Sequence, residues 1–170
     1  MPAFLTPTLT LILVLLELGC LAGMIAIFRK IIRNYPTLPD RVPSHFGFTG
    51  MPDGWMGRGI LWFCAIFTVV MYGILTFAAS TIIRHPEGVH GLSRPVTPEL
   101  IGQLTQVTVV MFGLMKLEFI LFFGYVVNGM IAIARGEAAR LSAWLTPAFL
   151  LVFLGTAFGC VGYIRYVIKA

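Results

Sequence analysis

Four long stretches of this chain are almost free of charge, and their lengths constrain the fold more than any other feature. From Met1 to Phe28 the only charged residue is Glu17; from Ile60 to Ile83 there is none; from Leu100 to Ala134 there are only Lys116 and Glu118; from Leu141 to Ile164 there is none. A hydrocarbon layer about 30 Å thick is crossed by about 20 residues of helix, because each residue rises about 1.5 Å and backbone polar groups must be paired without water. All four stretches are long enough. With 58% hydrophobic and 11% charged residues, a water-exposed helix face could not be built along them.

The expected fold is an all-α, four-transmembrane-helix bundle forming a single membrane domain over residues 1–170. The helices are expected at about 5–33, 60–83, 101–134 and 141–168, with a Pro/Gly-rich structured loop at 35–58 between the first two. The first stretch lacks a basic n-region and is longer than a signal-peptide core, so it reads as a retained helix. Cys20, Cys64 and Cys160 fall in three different helices without CxxC spacing and read as small packing residues.

Twelve basic residues against seven acidic ones could suggest nucleic acid, but here they flank helices rather than form one stripe. No nucleic-acid partner is expected. Their role is topological: the first and third connections hold seven (Arg29, Lys30, Arg33, Arg41, Arg58, Arg135, Arg140), against four (Arg84, Arg94, Arg165, Lys169) for the second connection and tail. Cytoplasmic loops carry the excess, which puts both termini on the non-cytoplasmic side. Small residues four apart, Gly19 with Gly23 and Gly155 with Gly159, let helix backbones approach closely and are expected at packing seams. Pro147 suits the first turn of the fourth helix, and Trp62 and Trp144 suit the membrane interface.

The first connection carries the most distinctive residues. Pro36, Pro39 and Pro43 force the chain out of the helix, Asp53-Gly54 reads as a tight turn, and Phe46, Phe48 and Trp55 give the loop apolar faces that belong against the helix ends or the membrane interface. An ordered, partly buried element is expected from His45 to Arg58. His45, Asp40 and Asp53 are competent metal ligands, but a single histidine with two aspartates on such a loop is better read as pairing with backbone groups. No metal and no cofactor is expected. Without GxSxG, HExxH, a Gly-rich phosphate loop or paired carboxylates in context, the chain reads as a non-enzyme.

The run Leu38, Pro39, Val42, Pro43, His45, Phe46, Gly50, Asp53, Trp55 and Arg58 resembles the bacterial membrane proteins grouped as domain of unknown function 1648, which includes the amino-terminal region of SdpI-like toxin-immunity proteins. The Lys-Leu-Glu run at 116–118 is similar as well. The resemblance implies a multi-pass protein of the bacterial inner membrane, and a binding role for Pro43, His45, Phe46, Gly50, Asp53, Trp55 and Arg58 towards a peptide or regulator. SdpI-like proteins have further helices beyond this region, and this sequence has none after the fourth stretch.

Glu17, Lys116 and Glu118 each cost about 2.5–3.5 kcal/mol near the bilayer centre, so each must face protein or water. At about 100° per residue Lys116 and Glu118 point to different sides of one helix. Glu17 and Lys116 are therefore expected to pair across the first and third helices, with a structural role favoured over a proton or ion relay. Three functions stay open: a binding protein for a peptide or regulator, an accessory subunit packing against a membrane complex, and a small ion or proton carrier.

Overall fold

The protein is described by a computed structural model covering residues 6–85 and 97–169, with side chains as far as 166. The order is α1 (Pro7–Asn34), a 3-10 turn (Tyr35–Thr37), β1 (Arg41–Phe46), β2 (Pro52–Gly57), α2 (Ile60–Arg84), α3 (Pro98–Ala134) and α4 (Leu145–Lys169). All four α-helices are long and apolar enough to cross a membrane, as expected. His90 and Arg94 of the second connection lie outside the described residues.

Two of the helices start from the same chemistry. Thr6 and Thr97 precede Pro7 and Pro98, and each threonine hydroxyl accepts from a backbone N–H three residues on, Leu9 at 3.2 Å and Leu100 at 3.3 Å. Proline at the first helical position gives up only an N–H that would be unpaired anyway. This cap makes α3 begin at Pro98, ahead of the expected 101. It ends on Gly136, whose φ of 74° is accessible to glycine at no steric cost. Gly136 N donates to Ile133 O at 3.0 Å and Glu137 N to Ala132 O at 2.9 Å, closing the carbonyls of the last turn.

Contacts between helices fix their directions. Leu16 meets Gly113, Gly19 meets Leu117, Gly23 meets Ile120 and Ile27 meets Gly124, so α1 and α3 run parallel with a constant offset. Thr76 reaches Lys116 while Phe67 stacks near Phe119 and Phe123, so α2 runs antiparallel to α3. Phe149 on Phe122 and Thr156 on Glu118 make α4 antiparallel too. Helix α3 is thus the axis of the bundle, and the first and third connections share one end.

Much of the hydrophobic core sits at that end, where Ile27, Ile31, Leu38, Val42, Leu61, Ala65, Val127, Met130 and Ile131 are all buried. A 37-residue helix is about 55 Å long, well beyond the hydrocarbon thickness. The last turns of α3 therefore form a platform on which β1 packs. Burying Leu38 and Val42 there is worth about 1.5–3 kcal/mol each. Cys20 and Cys64 are buried and Cys160 half-buried, all as free thiols.

The fourth helix begins at Leu145 rather than 141. Leu141 N donates to Gly50 O at 2.9 Å, and its buried side chain seats on Gly129, so residues 141–144 are held to the first connection instead of winding into helix. Pro147 then falls in the first turn of α4, and Trp144 is exposed just before it.

Candidate functional site

The first connection is not an irregular loop. It is an antiparallel hairpin in which Arg41 pairs with Gly57, Val42 with Met56, Pro43 with Trp55, His45 with Gly54 and Phe46 with Pro52. The register shifts on either side of His45, which turns that side chain outward. The expected turn at Asp53-Gly54 is corrected: both residues lie in β2, and the chain reverses at Gly47–Met51, with Gly47 N donating to Met51 O at 2.9 Å and Gly50 N to Gly47 O at 2.8 Å. Gly50 supplies the φ of 79° the reversal needs, and a Cβ there would collide with the Leu141 carbonyl. Gly54 serves another purpose: its missing Cβ makes room for His45, whose own Cβ would lie 2.9 Å away.

His45 and Asp53 also differ from expectation. They do not serve backbone groups; His45 Nδ1 and Asp53 Oδ1 are 2.5 Å apart, with the two side chains 76% and 52% exposed. The short register offset across the hairpin brings them together, leaving a polar pair standing on an apolar surface. Among the described residues no three His, Cys, Asp or Glu side chains gather in metal-binding range.

Arg58 ties the hairpin's base to the end of α1. Its Nη1 donates to the carbonyls of Tyr35 at 3.2 Å and Leu38 at 3.3 Å, and its guanidinium carbon lies 4.9 Å from the Tyr35 ring centre. Arg135 does the same from α3, its Nη2 donating to Thr37 Oγ1 at 2.8 Å. Trp55 is less packed than a core anchor: it is 44% exposed, and Phe48 at the tip is fully exposed.

Between the hairpin tip and the start of α4 lies a groove of about 550 Å³. His45, Asp53, Phe46 and Phe48 line it from the hairpin, and Leu145, Thr146 and Leu150 from α4. Its volume falls in the range of ligand sites, about 300–1,000 Å³, and its apolar walls with one polar pair match their usual make-up. The far wall was not legible in the sequence; Tyr125, whose hydroxyl accepts from Ser142 N at 3.3 Å, and Leu141 hold it in place.

Deep in the bundle, Lys116 donates to Glu17 as expected from the sequence. Glu17 lies as far ahead of Asn34 as Lys116 does ahead of Ala134, to within one residue, because Arg29, Lys30 and Arg33 are still part of α1. Tyr72 donates to the other Glu17 oxygen at 2.6 Å, and Lys116 also reaches Thr76 Oγ1 at 3.3 Å. Tyr72 and Thr76 were missed, although Thr68, Tyr72 and Thr76 form a polar stripe at helical spacing on an otherwise apolar helix. Glu118 turns to the opposite side, accepting from Thr156 Oγ1 at 2.6 Å, with its buried Oε2 unpartnered among the described residues.

The two glycine pairs separate. Gly19 and Gly23 lie in the α1–α3 seam, where a Cβ at Gly23 would come within 2.6 Å of Ile120. Among the described residues Gly155 and Gly159 meet nothing within 4 Å, so the expected seam inside the bundle does not form at these α4 glycines.

Helices and hairpin together define a multi-pass α-helical membrane protein with an ordered element between its first two spans. Residues 21–72 match the family described as Domain of unknown function (DUF1648), the family that the Leu38–Arg58 motif resembles. No curated protein and no solved structure matches the chain.

Proposed function

We propose that the protein is a non-catalytic membrane binding protein that receives an apolar segment of a peptide or regulator in the groove between the hairpin tip and α4. The groove itself carries this reading: Phe46, Phe48, Leu145 and Leu150 offer an apolar bed, and the His45–Asp53 pair offers a donor and an acceptor that fix orientation. Of the motif residues, Gly50 lines the groove, while Pro43 and Arg58 shape and anchor the hairpin that carries it. By the Lys/Arg excess, this end faces the cytoplasm of a bacterial inner membrane and both termini face out. An immunity role of the SdpI-like kind is one use of such a site.

A photo-crosslinking residue in place of Phe48, in native membranes, tests the reading. It is expected to capture a defined peptide or protein, and Ala143→Trp, which fills the groove, is expected to abolish that capture. Equal capture in the filled variant would contradict it.

One observation favours a second reading, that of an accessory subunit. Among the described residues, the membrane-spanning window of α4 has none that is buried, and the open backbone at Gly155 and Gly159 suits close approach of another helix. Replacing both glycines with leucine would then abolish co-purification with a larger membrane complex. An ion-carrier role is less well supported, since both Glu17 oxygens are engaged within the bundle.

A further inference from the structure

A second groove, of about 620 Å³, opens sideways between α1 and α2, with Leu21, Ile25, Phe28 and Ile32 along one face of α1 and Val69 opposite. Arg29 and Arg33 stand at its mouth, one helical turn apart and exposed. We propose that this groove is a binding site for an anionic glycerophospholipid, with an acyl chain along the apolar face and the headgroup phosphate on the two arginines.

Charge decides the occupant. Arg58 and Arg135, at the same end of the bundle, spend their guanidinium groups on Tyr35, Leu38 and Thr37. Arg29 and Arg33 make no side-chain hydrogen bond or ion pair among the described residues. Two like charges four apart on a helix repel, and a shared phosphate converts that cost into two charge-assisted hydrogen bonds. Length agrees as well. From Leu21 to Arg33 the groove runs about 18 Å by helix rise, close to the roughly 15 Å that half of a bilayer's hydrocarbon spans. A headgroup at the arginines therefore leaves its chain wholly within one leaflet. A zwitterionic headgroup brings its own ammonium to the same place and gains less.

Native mass spectrometry of the full chain released from detergent, with phosphatidylglycerol and phosphatidylcholine added in equal amounts, tests the proposal. At least tenfold preferential retention of phosphatidylglycerol is expected. Arg29→Gln with Arg33→Gln should erase the preference, Arg84→Gln at the opposite end should keep it, and Ile25→Trp should reduce retention of both lipids by filling the groove with no change of charge. Equal retention by the unmodified protein, or a preference that survives the double substitution, would overturn it. So would inorganic phosphate protecting against thermal unfolding as well as phosphatidylglycerol does, since the chain would then contribute nothing.

Discussion

Helices α1 and α4 both pack against α3, yet they do so in opposite ways. At α1 the partners interlock: Gly19 and Gly23 admit Leu117 and Ile120, Gly113 admits Leu16, and Glu17 meets Lys116 in the middle of the seam. At α4 the contact is a phenylalanine stack and one Thr156–Glu118 hydrogen bond, while its glycines face outward. In lipid there is no hydrophobic force to drive helices together, so close packing and polar pairing decide which seams are tight. The α1–α3 seam has both, and α4 has little of either. Both helices are apolar enough to span a membrane, and that shared property conceals unequal roles: α1 interlocks with α3, and α4 is held mainly at its first turns, beside the hairpin.

The largest effect is expected at the ion pair, and it should be lopsided. Lys116 is almost fully buried, its side chain 3% exposed, whereas that of Glu17 is 39% exposed. Removing Glu17 leaves the buried ammonium with no counter-charge and only the Thr76 hydroxyl, so Glu17→Leu should cost about 3–5 kcal/mol in a detergent unfolding titration. Lys116→Leu should cost less, because Glu17 keeps Tyr72 as a donor. Equal losses would mean that the seam is less dry on the Lys116 side than the structure has it.

Next comes the link that holds α4's start. Gly50→Ala puts a side chain at positive φ, about 1–2 kcal/mol on backbone grounds, and drives its Cβ into the Leu141 carbonyl. Proteolysis between residues 135 and 145 should then speed up well before the helices unfold. No change there would show that α4 does not depend on the hairpin.

Two glycines make the sharpest comparison, and one of them carries the smallest effect. Gly23→Ala should destabilise by about 1–3 kcal/mol through overpacking against Ile120. Gly155→Ala meets nothing and should stay within about 0.5 kcal/mol, or gain slightly from better helix propensity. Similar losses at both positions would mean that α4 is packed by another helix in the preparation measured.

The helices were legible because charge-free length is a property of the sequence itself, and the Glu17–Lys116 pair was legible because few intramembrane charges exist to pair. The hairpin was harder. Asp53-Gly54 has the composition of a turn, but Gly54 is small because His45 crosses above it, and the actual reversal rests on Gly50, whose need for glycine comes partly from Leu141, far away in sequence. The groove's α4 wall was invisible for the same reason, since it depends on a backbone hydrogen bond between residues 50 and 141. The idle glycines of α4 show the converse: spacing gives permission to pack, and a neighbour must be present to use it.

Glu17 and Lys116 pin the tight α1–α3 seam, and a double-mutant cycle in detergent measures that directly. Glu17→Leu with Lys116→Leu together should cost much less than the two single losses added, with a coupling of about 2 kcal/mol or more, because neither charge is then left in the seam without its counter-charge. Additive losses, with coupling near zero, would contradict it.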